Sequence, residues 1–142
     1  MEPTALLEPG FDLPPGVADR LRREQGEVSG GAARRMSLRQ VFEASSGFHL
    51  ALMQASNNRF FADAVLRLTR LRRLIGDIIA TGQERLTSQS AKHLAILDSI
   101  ERGDMAEASA RMPRHLNAGR ASKARLVAQG TLPVPGGLAA SE

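Results

Sequence analysis

Cysteine, tryptophan and tyrosine are absent from the chain, and phenylalanine occurs only five times in 142 residues. Without cysteine there is no disulfide framework and no thiolate chemistry, which fits the reducing cytoplasm. So few aromatic rings give little support to nucleic-acid binding by base stacking. No apolar run approaches the roughly 18 residues that a membrane-spanning helix needs, and no signal-peptide pattern opens the chain. We therefore expect one cytoplasmic domain that does not enter a membrane.

The positive charge of the chain comes almost entirely from arginine. The 19 basic residues outnumber the 15 acidic ones and give a formal net charge of +4. Only Lys92 and Lys123 are lysines, and the arginines are spread from Arg20 to Arg125 without forming one short run. This distribution favours a solvated arginine-rich surface over a patch that follows a phosphate backbone.

Apolar residues recur at helical spacing along most of the chain, and no segment alternates as a strand would. Residues 1–14 hold prolines and glycine without periodicity and predict a flexible N-terminal arm. Residues 15–127 predict one all-helical domain, and residues 128–142 a disordered tail. The approximate bounds of the predicted helices are 15–27, 37–56, 59–81, 88–102 and 104–127. The predicted fold is therefore all-α, an antiparallel helical bundle.

The three histidines of the chain, His49, His93 and His115, each lie on the apolar face of a different predicted helix. Facing helices of a bundle can bring such side chains together, and imidazole nitrogen is a good ligand for zinc and similar divalent ions. A histidine on an apolar face is also often a hydrogen-bonded core residue. Periodicity alone therefore leaves two interpretations open, a shared metal site or three imidazoles that only pack.

Three groups of residues strengthen the metal interpretation when they are taken together. They are Phe48–Leu52 with Ala55–Asn58, Lys92–Ile100 with Gly103–Asp104, and Met112–Leu116. In this order, and with His93 and His115 separated by 22 positions, they resemble the FCD domain, the C-terminal sensor of FadR-type GntR transcription regulators. The resemblance implies an FCD-like bundle that forms a homodimer and binds a small carboxylate effector. It also implies that the three histidines hold a divalent metal, for which we expect zinc, with nickel or manganese as alternatives.

One position departs from the family pattern. An aspartate four residues before the first histidine completes the family's ligand set, whereas this chain has Ser45 there. Glu43 does not replace it, because six residues before His49 lies on another face of the helix. Two interpretations remain: a weaker three-histidine site, with Ser45 beside it, that takes a carboxylate from the effector, or a site that has lost its metal. We favour the first, because all three imidazoles are present.

One arginine is a second candidate for effector binding. Arg72 lies within the apolar arc of the predicted 59–81 helix, between Leu68 and Ile75. A buried guanidinium needs a partner, and a carboxylate effector would match it bidentately. The other interpretation is an internal salt bridge or a side chain that reaches the solvent.

These observations predict an effector-sensing domain rather than an enzyme. A winged helix-turn-helix module needs on the order of 50 residues or more, and only 44 residues precede Ser45. DNA contact is therefore expected only through a domain that this chain does not contain. The alternatives are a metal-free structural or dimerisation module and, in third place, a zinc-dependent hydrolase, which the lack of an H-E-x-x-H motif disfavours.

Overall fold

The computed structural model describes residues 2–76 and 83–129, and all regular structure within these ranges is helical. The six α-helices are α1 Glu2–Ala5, α2 Pro15–Ser29, α3 Leu38–Ala55, α4 Arg59–Gly76, α5 Gln83–Glu101 and α6 Met105–Ala128, with a 3₁₀ turn at Ala32–Arg34. The all-α bundle predicted from the 3.6-residue period is confirmed. None of the described helices is long and apolar enough to cross a membrane.

Local sequence explains where three of the helices begin. Pro15 opens α2, where its missing N–H and fixed φ suit a first turn. Ser37 caps α3: its Oγ accepts from the Gln40 N–H at 3.1 Å, and Gln40 Oε1 accepts from the Ser37 N–H at 2.8 Å. Asp104 Oδ1 accepts from the Glu107 N–H at 3.0 Å and caps α6. The predicted starts of these helices are therefore correct.

Two predicted helix ends differ from the structure or fall outside it. α4 reaches Gly76, and its predicted continuation to Thr81 lies outside the described residues. α5 begins at Gln83, before the predicted Ser88. Residues 83–86 are Gln, Glu, Arg and Leu, all good helix formers, so propensity extends the helix beyond its apolar stripe.

The core forms around α5, which packs between α2 and α6, while α3 contacts α1, α2, α4 and α5. Its largest fully buried apolar side chains are Leu6, Leu21, Phe48, Leu52, Met53, Ile96, Leu97 and Met112. Each such side chain stabilises the fold by roughly 1.5–3 kcal/mol through removal of its surface from water. The polar residues discussed below lie among these side chains, so any charge or lone pair there is shielded from solvent.

The start of the chain is part of this packing. α1 contacts α3 and α6, Ala5 and Leu6 are fully buried, and Ser109 Oγ donates to the Pro3 carbonyl at 2.9 Å. The flexible arm expected for residues 1–14 therefore differs from the structure over residues 2–6, because their few apolar side chains find a place in the core. The domain limits at residues 14 and 127 remain predictions, and residues 130–142 lie outside the described part of the chain.

Candidate metal centre

Three buried imidazoles meet between α3, α5 and α6. His49 comes from α3, His93 from α5 and His115 from α6. Their Nε2 atoms lie 3.2 Å (His49 to His93), 2.9 Å (His93 to His115) and 3.2 Å (His49 to His115) apart. The structure thus brings together the three histidines that the sequence singled out, and no other group of metal-ligand residues forms such a cluster among the described residues.

The spacing of these nitrogens fits the coordination shell of a divalent ion. With a metal–nitrogen bond of about 2.0–2.1 Å, two ligand nitrogens lie about 2.9 Å apart in octahedral and about 3.3 Å apart in tetrahedral geometry. The observed 2.9–3.2 Å falls within this interval. The three side chains are therefore already close to the arrangement that an ion requires.

Gln25 of α2 fixes the tautomer of His93. The Gln25 side chain is fully buried, and its Nε2 donates to the Ala44 carbonyl at 3.0 Å. Its Oε1 therefore faces His93 Nδ1 at 2.7 Å and must accept, so Nδ1 carries the proton. The Nε2 atom of His93 then presents its lone pair to the other two rings, and the Phe48 ring stacked at 4.2 Å holds the imidazole in place.

Glu2 of α1 does the same for His49. Its carboxylate lies 2.5 Å from His49 Nδ1, and both side chains are buried. Burial by itself raises the pKa of the Glu2 carboxyl, but the hydrogen bond from His49 and nearby positive charge outweigh it, so the pKa is lowered. An ionised carboxylate can only accept, so Nδ1 of His49 carries a proton, and in the neutral tautomer this leaves the lone pair on Nε2.

The other two imidazoles are held in the neutral form that binds metals. Burial lowers the pKa of His93 well below its ordinary value, and the charges of His49 and His115 act in the same direction. Burial also lowers the pKa of His115 to about 4; the charge of His49 adds to this effect, and Glu2 opposes it. Both rings are therefore neutral near pH 7, each with a single N–H, and neither has to lose a charge when a metal binds.

Without an ion, the cluster leaves its nitrogens poorly satisfied. When all three rings are neutral, Nε2 of His49 and Nε2 of His93 are acceptors, so only His115 can bring a proton into the triangle. Nδ1 of His115 is buried and has no hydrogen-bond partner among the described residues. One proton at best serves three facing nitrogens, whereas a cation accepts all three lone pairs. The donor set therefore fits a divalent metal.

The remaining predicted residues lie around the cluster rather than in it. Ser45 is half-buried one turn before His49 on α3. Glu43 is at the surface, where it pairs with Arg73, so it does not replace the missing aspartate. Arg72 is exposed, as in the interpretation of a side chain that reaches the solvent, and its role in effector binding stays a prediction. 

Arg72 is exposed because α4 packs mainly on α3 through its inner residues and leaves its outer arc uncovered. The apolar stripe is wider than the surface that α3 covers. The charge of Arg72 nevertheless acts on Glu2 and His115 and lowers the pKa of each. Arg72 is therefore a surface cation near the cluster, as in the interpretation of a side chain that reaches the solvent.

The two residues that orient the imidazoles, Gln25 and Glu2, were not predicted from the sequence. Gln25 had a detectable signal, because the buried residues Ala18, Leu21, Gln25 and Val28 follow helical spacing and Gln25 is the polar member of that row. Glu2 had none, because the segment around it shows no periodicity. Its position depends on the packing of Ala5 and Leu6, which is set by distant parts of the chain.

An all-α bundle that brings imidazoles together from three facing helices has the arrangement from which helical domains can build a metal site in their core. The model of the FCD domain matches this chain over residues 14–118, which is most of its length, so the chain belongs to the FCD domain family. No curated protein and no solved structure matches the chain. Gln25 and the three histidines lie inside the matched range, whereas Glu2 lies outside it.

Proposed function

We propose that this chain is the effector-binding domain of a GntR-type transcription regulator and that His49, His93 and His115 hold one divalent ion. The observation that carries the proposal is the convergence of the three Nε2 atoms within 3.2 Å, two of them with their lone pairs fixed by hydrogen bonds at the far side of the ring. Zinc suits three imidazoles best, and nickel or manganese are the alternatives.

The charges around the cluster favour a small carboxylate as effector. An ion of charge +2 beside the ionised Glu2 leaves about one positive charge in a buried site, which one carboxylate group neutralises. When bound, the metal would act as a Lewis acid that accepts a carboxylate oxygen. Arg72 adds positive charge at the edge of the site, and Ser45 offers a hydroxyl one turn from His49.

The rest of the molecule supports a sensing role within a larger assembly. Phe60, Leu68 and Leu71 are exposed on α4, and such an apolar face is a reasonable surface for a two-fold homodimer. Effector binding in the bundle would shift helices that a partner subunit reads, and DNA would be contacted through a domain outside this chain. Such a regulator acts in the cytoplasm and is not an enzyme.

Metal analysis of the purified chain tests the proposal. Once the protein has been stripped with a chelator and reconstituted with zinc, we expect about one zinc ion per chain by inductively coupled plasma mass spectrometry and by isothermal titration calorimetry. His115→Ala should lower zinc affinity by at least about 100-fold through the loss of one of three ligands. Asn117→Ala, an exposed change on the same helix, should leave the affinity unchanged.

The effector is tested on the same preparation. Small organic acids should raise zinc affinity, because two ligands that bind one state strengthen each other. A wild-type stoichiometry near zero with zinc, nickel and manganese would overturn the proposal and leave the metal-free packing module, in which His115 Nε2–H donates to the other two rings.

A further inference from the structure

We infer that Glu2 is a positioning residue of the metal centre. Its carboxylate holds His49 in the ligand tautomer and supplies the negative charge that the family pattern places at the position of Ser45. This inference rests on the proposed metal site and deepens it, because it assigns part of that site to α1, which lies outside the residues that match the FCD domain.

The geometry limits Glu2 to an indirect role. Its Oε2 is 2.5 Å from Nδ1 of His49, the ring nitrogen that points away from the cluster, and Glu2 is not part of the group of converging ligand atoms. A carboxylate in this place orients the ring and increases the basicity of Nε2 without touching the ion. The family's aspartate position is different, since it lies four residues before His49 on α3, on the same face as the ring.

Burial makes the charge of Glu2 effective. The Glu2 side chain is buried, and its carboxylate lies 2.5 Å from the buried ring of His49. A carboxylate in such surroundings is costly unless positive charge lies near it. A divalent ion at the Nε2 triangle would supply such positive charge from within the core. Each charge therefore compensates the other.

The carboxylate is held in place by a docked segment. Ala5 and Leu6 are buried in the core, and Ser109 of α6 donates to the carbonyl of Pro3. The Glu2 carboxylate can reach His49 only while this segment stays in the core. Metal binding and the docking of α1 therefore stabilise each other, because both depend on the same contact.

The decisive experiment compares zinc affinities, measured by competition with a chromogenic chelator, in four variants of the full chain. Glu2→Gln keeps the shape and an acceptor oxygen but removes the charge, and should weaken zinc binding about 10- to 100-fold. Glu8→Gln removes the same charge from the same segment, at a side chain without a hydrogen bond or ion pair among the described residues, and should stay within about twofold of wild type. Ser45→Asp in the Glu2→Gln background should recover most of the lost zinc affinity, because it returns a carboxylate to the face of His49. In the wild-type background, Ser45→Asp should raise zinc affinity by a smaller factor than in the Glu2→Gln background.

A second measurement separates positioning from general stabilisation. In the zinc-free wild type, long-range ¹H–¹⁵N NMR spectra should show neutral His49 with its proton on Nδ1. Glu2→Ala should lose this single tautomer while His93, held by Gln25, keeps it. Equal zinc affinity in wild type and Glu2→Gln, or an unchanged His49 tautomer in Glu2→Ala, would overturn the inference while the three-histidine site stands. Absence of zinc binding in the wild type would overturn the proposed metal site, and the role of Glu2 with it.

Discussion

The start of the chain and α4 both pack against α3, but sequence and burial are related in opposite ways in the two regions. Residues 2–6 have no apolar period, yet Ala5, Leu6 and the Glu2 carboxylate are buried. α4 has a wide apolar stripe, yet Leu68 on it is 46% exposed. Periodicity therefore identifies a helix, whereas burial depends on which neighbouring elements cover its surface.

The largest change in stability should come from a substitution in the buried start of the chain. Leu6→Ala removes a side chain that is 1% exposed in the core, and should lower the free energy of unfolding by between about 2 and 5 kcal/mol through lost burial and a new cavity. Leu7→Ala is the matched control, because the next side chain is 55% exposed, and should change stability by less than about 0.5 kcal/mol. Urea unfolding followed by circular dichroism measures both. Equal effects of the two changes would mean that the start of the chain is not docked.

Acid should destabilise the metal-free bundle at the histidine cluster. The pKa of His115 falls from 6.5 to about 4 on folding, so between these values the unfolded chain binds more protons than the folded one. The free energy of unfolding should therefore decrease as the pH falls through this window, by on the order of 3 kcal/mol from His115 alone. Glu2, whose pKa is lowered from 4.5, adds a loss only below that value.

Urea unfolding in the presence of a chelator, at several pH values from about 7 to 4, tests this dependence. His115→Gln removes one titrating ring and should make the free energy of unfolding depend less steeply on pH, while the buried His93 still contributes. A wild-type stability that is constant over this window would contradict the burial of a neutral His115. Amide hydrogen exchange should show α1 opening before α3 as the pH falls, because α1 depends on the contact of Glu2 with His49.

Much of the fold and of the ligand set could be predicted from the sequence, because both depend on local spacing. The helix caps at Ser37 and Asp104 and the inward faces carrying His49, His93 and His115 follow from residues a few positions apart. The groups that orient the rings depend on distant packing instead. Glu2 reaches His49 across 47 positions of sequence, and Gln25 reaches His93 across 68, so no local pattern indicates either contact.

On the exposed face of α4, we expect a substitution to affect association rather than folding. Phe60→Ser should leave the unfolding free energy of the monomer nearly unchanged, because the ring is exposed. If α4 forms the dimer interface, the same change should weaken dimerisation by about 10-fold or more through loss of an aromatic contact. Phe61→Ala is the contrasting variant, because Phe61 packs against the core and should lower stability. If sedimentation equilibrium gives the same dimer dissociation constant for Phe60→Ser and wild type, this face of α4 is excluded as the dimer interface.

The smallest effect should come from the polar contact that joins α4 to α3. Arg73 lies 3.2 Å from Glu43, but both side chains are about half exposed, so water and salt screen the pair. Arg73→Ala should lower the free energy of unfolding by less than about 1 kcal/mol. The corresponding contact between α1 and α3 is buried, and Glu2→Ala leaves the N–H of His49 without its acceptor, which costs about 1–3 kcal/mol. Raising the salt concentration should remove most of the Arg73→Ala effect and little of the Glu2→Ala effect. Similar losses with the same salt dependence would show that burial does not distinguish the two contacts.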